Sequence, residues 1–355
     1  MMMDRNRVIK LCAVGCAAAV MTASLAACNS ASKGDEAYFD KINAYTFWEN
    51  DGAEAIPQPN IGQMVWDFLN TPAEDGKAKK VAFIGYDGCR SDALINSLVS
   101  GAEGGVTEKN ANSALNKILD AGGHIYHAYA GGIKGSATEQ HTSTAPGWSA
   151  LTTRVWGQLN GITDNGMAKN INYKTFMLQA AEELGLRATF GASWQPYFTE
   201  NYVDEIQYVK DHPEIPMTFQ YVKDDATLRD YLIDCVTVGS ANEKDIIFGT
   251  LEGTDHAGHS TGFGNDNPDY IEGFLSEEQM ALDILNAIES RPTYAQEDWL
   301  IVITTDHGGI GTSHGGQTLE ERNTWVVCNK AIDKKYMSDG GYNGYEIAAT
   351  TAVSE

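Results

Sequence analysis

Short apolar runs alternate with helix-like segments from Lys79 to Thr304, and this alternation constrains the fold more than any other feature of the chain. The strand-like runs are KKVAFIGY, HIYHAYA, RATFGASW, DIIFGTLEG and DWLIVITT. The segments with helical periodicity are SALNKILDAG, KTFMLQAAEELG, LRDYLIDCV and PDYIEGFLSEEQMALDILNAIES, with a shorter one, NIGQMVWDFLN, ahead of them. Strands that alternate with helices at this spacing predict an α/β fold, with a mostly parallel central sheet and helices on both faces.

The N-terminus has the pattern of an export signal. A basic start is followed by the apolar stretch LCAVGCAAAVMTASLAA. The stretch ends in Leu-Ala-Ala-Cys at Cys28, which resembles a bacterial lipobox. We expect residues 1–27 to be a lipoprotein signal peptide and Cys28 to carry a lipid anchor on the exported side of a bacterial membrane, at the cell surface or the periplasmic face. A transmembrane anchor is the alternative, but about seventeen apolar residues is short for a bilayer span.

The rest of the chain divides into two parts. Residues 28–75 are rich in small and polar residues and predict a tether and lead-in, whereas 76–355 predict one folded domain. The chain stops within GYEIAATTAVSE, which leaves open a short divergent ending or a truncated C-terminus.

Charge and cysteine content exclude several classes of function. The net charge is -23 and becomes about -25 without residues 1–27, so the surface repels nucleic-acid polymers. A phosphate-bearing substrate would need local positive charge, which metal ions can supply. Of the six cysteines, only Cys89, Cys235 and Cys328 remain if Cys28 is acylated, and no CxxC pair exists for a cysteine-based zinc site.

Three aspartates follow predicted strands. Asp87 comes after VAFIGY, Asp255 soon after IIFGTLEG, and Asp306 after IVITT. Ligands of open α/β sheets gather beyond the carboxyl ends of the strands. A single aspartate there is usually a cap, but three of them together predict a site at that edge of the sheet.

Histidines accompany two of these aspartates in glycine-rich segments. His259 lies four residues after Asp255, His307 is adjacent to Asp306, and His314 returns seven residues later. Any one histidine could equally be an ordinary surface or core residue. Oxygen and nitrogen donors without thiolate suit zinc best, with manganese or iron as alternatives.

A candidate nucleophile lies in TSTAPGWSALTT. Thr144 precedes Pro146 at the start of a predicted helix, where backbone N–H groups and the helix dipole favour an anion. A threonine hydroxyl needs a base or a metal to become nucleophilic. The alternative is that Ser143 or Thr144 only caps the helix.

Over roughly Lys79 to Val327 these motifs resemble, in chain order, the alkaline phosphatase superfamily, and within it the type I phosphodiesterase and nucleotide pyrophosphatase branch. The resemblance implies an alkaline phosphatase-like catalytic domain with two divalent metal ions, zinc being favoured. It implies one metal at Asp87, Asp306, His307 and the Thr144 hydroxyl, a second at Asp255, His259 and His314, and an amide at Asn165 that donates to a phosphoryl oxygen. The implied activity is hydrolysis of phosphodiester or phosphoanhydride bonds in small, nucleotide-like substrates through a threonine nucleophile.

The chain departs from the family pattern near the candidate nucleophile. Gly147 and Trp148 stand where Asn and His are more usual, Arg154 where Gly is common, and Asn160 where the family often has His. Trp148 could line a pocket for the leaving group or belong to the core.

Several other functions stay open on the sequence. A phosphomonoesterase would need a further cation, for which Arg90 and Arg154 are candidates. A sulfatase is disfavoured because TAPGW lacks the CxPxR or SxPxR pattern. A phosphotransferase and a metal-binding lipoprotein without catalysis are the remaining alternatives.

Overall fold

The computed structural model describes residues 48–50, 55–73, 75–98, 112–166 and 170–337. The predicted signal peptide, Cys28, most of the predicted tether and the C-terminal tail from residue 338 lie outside the described residues. No helix in the described ranges combines the length and the apolar character needed to span a membrane.

The described part contains strands and helices in alternation. The strands are β1 (Ile56–Pro57), β2 (Ala78–Tyr86), β3 (His124–Tyr129), β4 (Ala188–Ala192), β5 (Met217–Tyr221), β6 (Ile246–Leu251), β7 (Glu297–Thr304) and β8 (Asn323–Cys328). The helices are α1 (Gln58–Asn70), α2 (Ile95–Leu98), α3 (Ala114–Asp120), α4 (Thr144–Thr153), α5 (Gly157–Asn160), α6 (Phe176–Leu184), α7 (Val203–Asp211), α8 (Asp225–Val236), α9 (Gly253–Thr261), α10 (Pro268–Glu289) and α11 (Leu319–Arg322).

All eight strands form one sheet in the order β1-β3-β8-β7-β2-β6-β4-β5. β8 runs antiparallel to both of its neighbours, while the other pairings are parallel. The predicted α/β class with a mostly parallel sheet is therefore confirmed.

Helices cover both faces of the sheet, as predicted. Neighbouring residues of β2 alternate between the two apolar cores: Val81 and Phe83 pack on one face, and Ala82 and Ile84 on the other. This alternation follows from the two-residue period of a strand. Because both faces are buried, the central strands appear in the sequence as continuous apolar runs.

Part of the predicted lead-in belongs to the folded core. α1 packs closely on α4: a Cβ atom on Gly62 would lie 1.9 Å from the carbonyl oxygen of Leu151, so only glycine fits at this crossing. Pro57 precedes α1, and the side chain of Gln58, its first residue, is completely buried. The N-terminal segment therefore reaches the helix that carries Thr144.

Candidate metal centre

Three neighbouring strands bring the predicted aspartates together. β2 lies between β6 and β7, and all three are parallel, so their carboxyl ends meet at one edge of the sheet. Asp87 and Asp306 follow β2 and β7 closely, whereas Asp255 lies in the first turn of α9, just after β6. The site predicted from strand ends is therefore a real convergence of these side chains.

A first cluster consists of Asp87, Asp306 and His307, all completely buried. One donor atom from each lies within 4.8 Å of the others. The His307 Nε2 atom is 3.4 Å from Asp87 Oδ1 and 3.4 Å from Asp306 Oδ2. Two carboxylates and an imidazole thus face one point in the interior.

A second cluster consists of Asp255, His259 and His314, and one donor atom from each again lies within 4.8 Å of the others. Asp255 Oδ2 lies 3.4 Å from His259 Nε2, and Asp255 Oδ1 lies 3.7 Å from His314 Nε2. The His307 and His314 rings, one from each cluster, have centroids 4.0 Å apart. The two clusters are therefore immediate neighbours.

Backbone carbonyls determine the tautomer of each histidine. The Nδ1 atoms of His307, His259 and His314 lie 2.7, 3.0 and 3.1 Å from the carbonyl oxygens of Gly308, Thr312 and Thr142, respectively. A carbonyl oxygen can only accept, so Nδ1 carries the hydrogen and, in the neutral ring, Nε2 presents a lone pair to its cluster. This is the arrangement found around metal-ligating histidines.

Unpartnered atoms in both clusters fit bound cations. Asp306 Oδ2, His307 Nε2 and Asp255 Oδ1 are buried without a hydrogen-bond partner, which is costly unless something else satisfies them. The Nε2 atoms of His259 and His314 lie 3.0 Å apart, so two lone pairs would face each other without a cation between the rings and Asp255. Oxygen and nitrogen donors without thiolate suit a divalent metal ion.

The charges of the two clusters also favour a bound cation. Burial, followed by repulsion from Asp87, raises the pKa of Asp255 to about 6 and that of Asp306 well above its usual range. Burial opposes a charge on His307, but attraction to Asp306 and Asp87 outweighs it and raises the pKa of His307 to about 10. The buried carboxylates therefore favour a positive charge in their midst.

Thr144 and Asn165 both lie at the start of α4. Thr144 is the first residue of α4, is almost completely buried, and its Oγ1 lies 3.4 Å from Asp87 Oδ1. The Oδ1 atom of Asn165 accepts a hydrogen bond of 2.8 Å from the N–H of Ala145. That contact orients the Asn165 amide at the start of α4 and leaves its NH₂ group to donate elsewhere.

Two acids that no sequence motif indicates hold the start of α9. Asp225 Oδ2 accepts from the backbone N–H of Glu252 at 2.9 Å, and Glu277 Oε1 accepts from the N–H of Thr254 at 2.9 Å. Both acids satisfy N–H groups that a helix start leaves without partners. They position the helix that carries Asp255, but neither follows from a local motif, because each comes from a distant part of the chain.

Gln58 makes a further contact with the first cluster that could not be predicted from the sequence. Its side-chain NH₂ group donates to the backbone carbonyl of Asp306, from the segment predicted to be a lead-in. A glutamine at the start of a helix carries no signal for such a distant contact.

Trp148 is a core residue, and the alternative that it lines a leaving-group pocket is wrong. Its side chain is completely buried, and its indole N–H donates to Asp87 Oδ2 at 2.9 Å. Asn160 is also buried, and its side-chain NH₂ group donates hydrogen bonds to the Thr153 hydroxyl and to the carbonyl of Val155.

Gly147 allows α4 to approach the first cluster. A Cβ atom there would lie 2.7 Å from Asp306 Cβ and 2.9 Å from the Asp306 carbonyl oxygen. Both neighbours are part of a buried turn, so neither can yield easily.

We expect Gly147→Ala to destabilise the protein by about 1–3 kcal/mol, because overpacking would push α4 away from Asp306. Helix propensity alone predicts the opposite sign, a gain of about 1 kcal/mol for Ala over Gly. Urea unfolding of the native and variant chains distinguishes the two. A variant more stable than the native chain would show that α4 can move away from Asp306 without loss of stability.

The chain was also compared with known proteins. No family model matches it, and no curated protein matches it. Similar solved structures include a 2-O GAG sulfatase (12% identity, TM-score 0.47, 72% of this chain and 66% of that chain). They also include murine ectonucleotide pyrophosphatase/phosphodiesterase 5 in complex with AMP (15% identity, TM-score 0.43, 65% and 57%). A third is the periplasmic domain of the phosphoethanolamine transferase EptC from Campylobacter jejuni (12% identity, TM-score 0.44, 71% and 79%).

These three proteins are a sulfatase, a pyrophosphatase/phosphodiesterase and a transferase, and at such low similarity they assign neither a family nor an activity to this chain. The chain spans 66% and 57% of the length of the first two. At identities this low, the function has to be inferred from the geometry of this chain's own residues.

Proposed function

We propose that the protein is a metal-dependent phosphodiesterase or nucleotide pyrophosphatase that acts through Thr144. The observation that carries the proposal is the placement of the Thr144 hydroxyl 3.4 Å from an oxygen of Asp87, beside two clusters whose unpartnered donors fit cations. A purely structural zinc site would be closed by four protein ligands and would not need a hydroxyl at its edge.

Each of the two clusters would hold one metal ion. Asp87, Asp306 and His307 would hold one divalent cation near Thr144, and Asp255, His259 and His314 would hold the second. When bound, two such cations supply charge stabilisation for the attacking and leaving oxygens and lower the pKa of the hydroxyl.

The chain's own groups then account for a two-step displacement. Thr144 Oγ1 would give up its proton and attack phosphorus, and the bond from phosphorus to the leaving oxygen would break, so that the leaving alcohol or phosphate takes up a proton. Water would then attack phosphorus, release the phosphate product and return a proton to Thr144 Oγ1. The amide of Asn165, held by the Ala145 N–H, would donate to a phosphoryl oxygen throughout.

The partners of Arg90 and Arg154 favour a diester substrate over a monoester. Arg90 pairs with Asp92 at 2.9 Å and donates to the Gly309 carbonyl, while Arg154 donates to Gln63 and Gln179. In the described ranges, no lysine or arginine forms an ion pair with an aspartate of either cluster. A dianionic monoester would need such a cation more than a monoanionic diester does.

The location of the enzyme is part of the proposal. The basic start, the apolar stretch and Cys28 support export and a lipid anchor to a bacterial membrane. A small phosphodiester or nucleotide-like substrate outside the cytoplasm fits the strongly acidic chain, since a polymer of nucleic acid would be repelled.

The test is hydrolysis of an aryl phosphodiester, the matching aryl phosphomonoester and an aryl sulfate by the full chain supplied with zinc. We expect the diester to be preferred by roughly tenfold or more in kcat/KM. Preference for the monoester would indicate a phosphatase, and preference for the sulfate a sulfatase. An added alcohol that captures the phosphoryl group in place of water would indicate a transferase.

A further inference from the structure

Two residues of α4 contact the same carboxylate. Thr144 and Trp148 are four residues apart and therefore lie on one face of the helix. Thr144 Oγ1 lies 3.4 Å from Asp87 Oδ1, and the Trp148 indole N–H donates to Asp87 Oδ2 at 2.9 Å. The two oxygens of Asp87 are thus assigned to different neighbours.

The indole contact restricts what Asp87 can do. An indole N–H is only a donor, so its one strong bond, made in a fully buried setting, goes to the carboxylate. Oδ2 accepts this bond with one of its lone pairs, whereas Oδ1 faces both Thr144 Oγ1 and His307 Nε2, each at 3.4 Å. The indole therefore fixes the orientation in which Asp87 presents Oδ1 to the first cluster.

The position of the indole ring is itself determined by packing. The ring lies edge-on to Phe248, with centroids 5.9 Å apart. A Cβ atom on Gly85 would lie 2.2 Å from the ring, so the residue two before Asp87 has to be glycine. The ring therefore sets the height of α4 above β2, and with it the position of Thr144 relative to Asp87.

We infer that Trp148 is a positioning residue, which holds the Asp87 carboxylate with Oδ1 toward the first cluster and aligns α4, the helix of the proposed nucleophile, with β2, which Asp87 follows. The inference rests on the proposed function only in taking the first cluster as a metal site. Trp148 stands where the family that the sequence resembles more usually has His. The inference gives this core tryptophan a role beyond packing.

The experiment compares Trp148→Phe with Trp325→Phe. Both tryptophans are completely buried indole N–H donors, but Trp325 donates to the carbonyl of Cys89 and not to a cluster residue. Zinc affinity is measured by competition with a chromophoric chelator, in chains that also carry His259→Ala so that binding at the first cluster is isolated. Unfolding by urea is measured alongside to show how much stability each substitution costs.

We expect Trp148→Phe to weaken zinc binding by roughly 10- to 100-fold, because an oriented ligand loses its partner. Trp325→Phe should lose stability but keep the parent affinity. Equal affinities in the two variants would overturn the inference, whereas a native chain that binds fewer than two zinc ions would instead overturn the proposed function.

A second variant covers the case in which Trp148→Phe does not fold. Phe248→Leu keeps the indole but removes the aromatic ring that packs against it, so the indole N–H is held less firmly on Asp87 and zinc binding should weaken in the same assay. Zinc affinity equal to that of the parent chain in Phe248→Leu would count against the inference.

Discussion

Replacement of Thr144 by alanine is expected to lower turnover of an aryl phosphodiester on the order of 10³-fold or more, because it removes the only atom of that side chain able to attack phosphorus. Zinc stoichiometry should stay at two, since the donors of both clusters remain. Thr144→Ser keeps a hydroxyl at the start of α4 and should retain much of the activity.

The control for this prediction is Thr152→Ala on the same helix. Thr152 is also buried, but its hydroxyl bonds the Trp148 carbonyl and the hydroxyl of Tyr202 instead of a cluster residue. A large loss of activity in Thr152→Ala, or residual turnover in Thr144→Ala above about a tenth of native, would mean that Thr144 is a helix-start residue and not the nucleophile.

Metal binding is expected to have the second large effect. Zinc should raise the unfolding temperature and free energy markedly, by about 4 kcal/mol per site at a thousandfold excess over the dissociation constant. The reason is that three buried aspartates, Asp87, Asp255 and Asp306, repel one another until cations neutralise them. Magnesium and calcium should stabilise far less, because they prefer oxygen ligands and three of the six donor residues are histidines.

A pair of histidines on α9 provides the matched variants. His259→Ala removes a donor of the second cluster, whereas His256→Ala removes an equally exposed histidine that belongs to neither cluster. We expect His259→Ala to reduce the number of tightly bound zinc ions from two to one, and His256→Ala to leave it at two. Thermal unfolding with zinc titration and direct metal analysis check this. Identical stoichiometries in the two variants would rule out the second cluster as a metal site.

The sequence predicted the central part of the fold well, for a physical reason. β2, β6 and β7 are buried on both faces, so each is a continuous apolar run, and each is followed by the polar residues of the site. The aspartates and histidines could be predicted because they follow these runs closely in the chain.

Other elements depend on contacts that no local pattern reveals. β5 is a partly exposed edge strand, and β8 lies between β3 and β7 in the reverse direction. α9 contains Gly253 and Gly258, which lower helix propensity, yet a Cβ atom on Gly258 would lie 2.5 Å from the Phe263 ring. Tertiary packing determines these features, as it determines the partner of Trp148.

The position of β2 between β6 and β7 has a consequence for the order of events as the protein forms. β2 comes early in the chain, but its partners begin at Ile246 and Glu297, so its pairing has to await the last third of the polypeptide. Such distant pairings are slow to form. We expect neither cluster to exist before β2 has paired with β6 and β7, so cations would be acquired only after these strands have formed, from the compartment in which the chain folds.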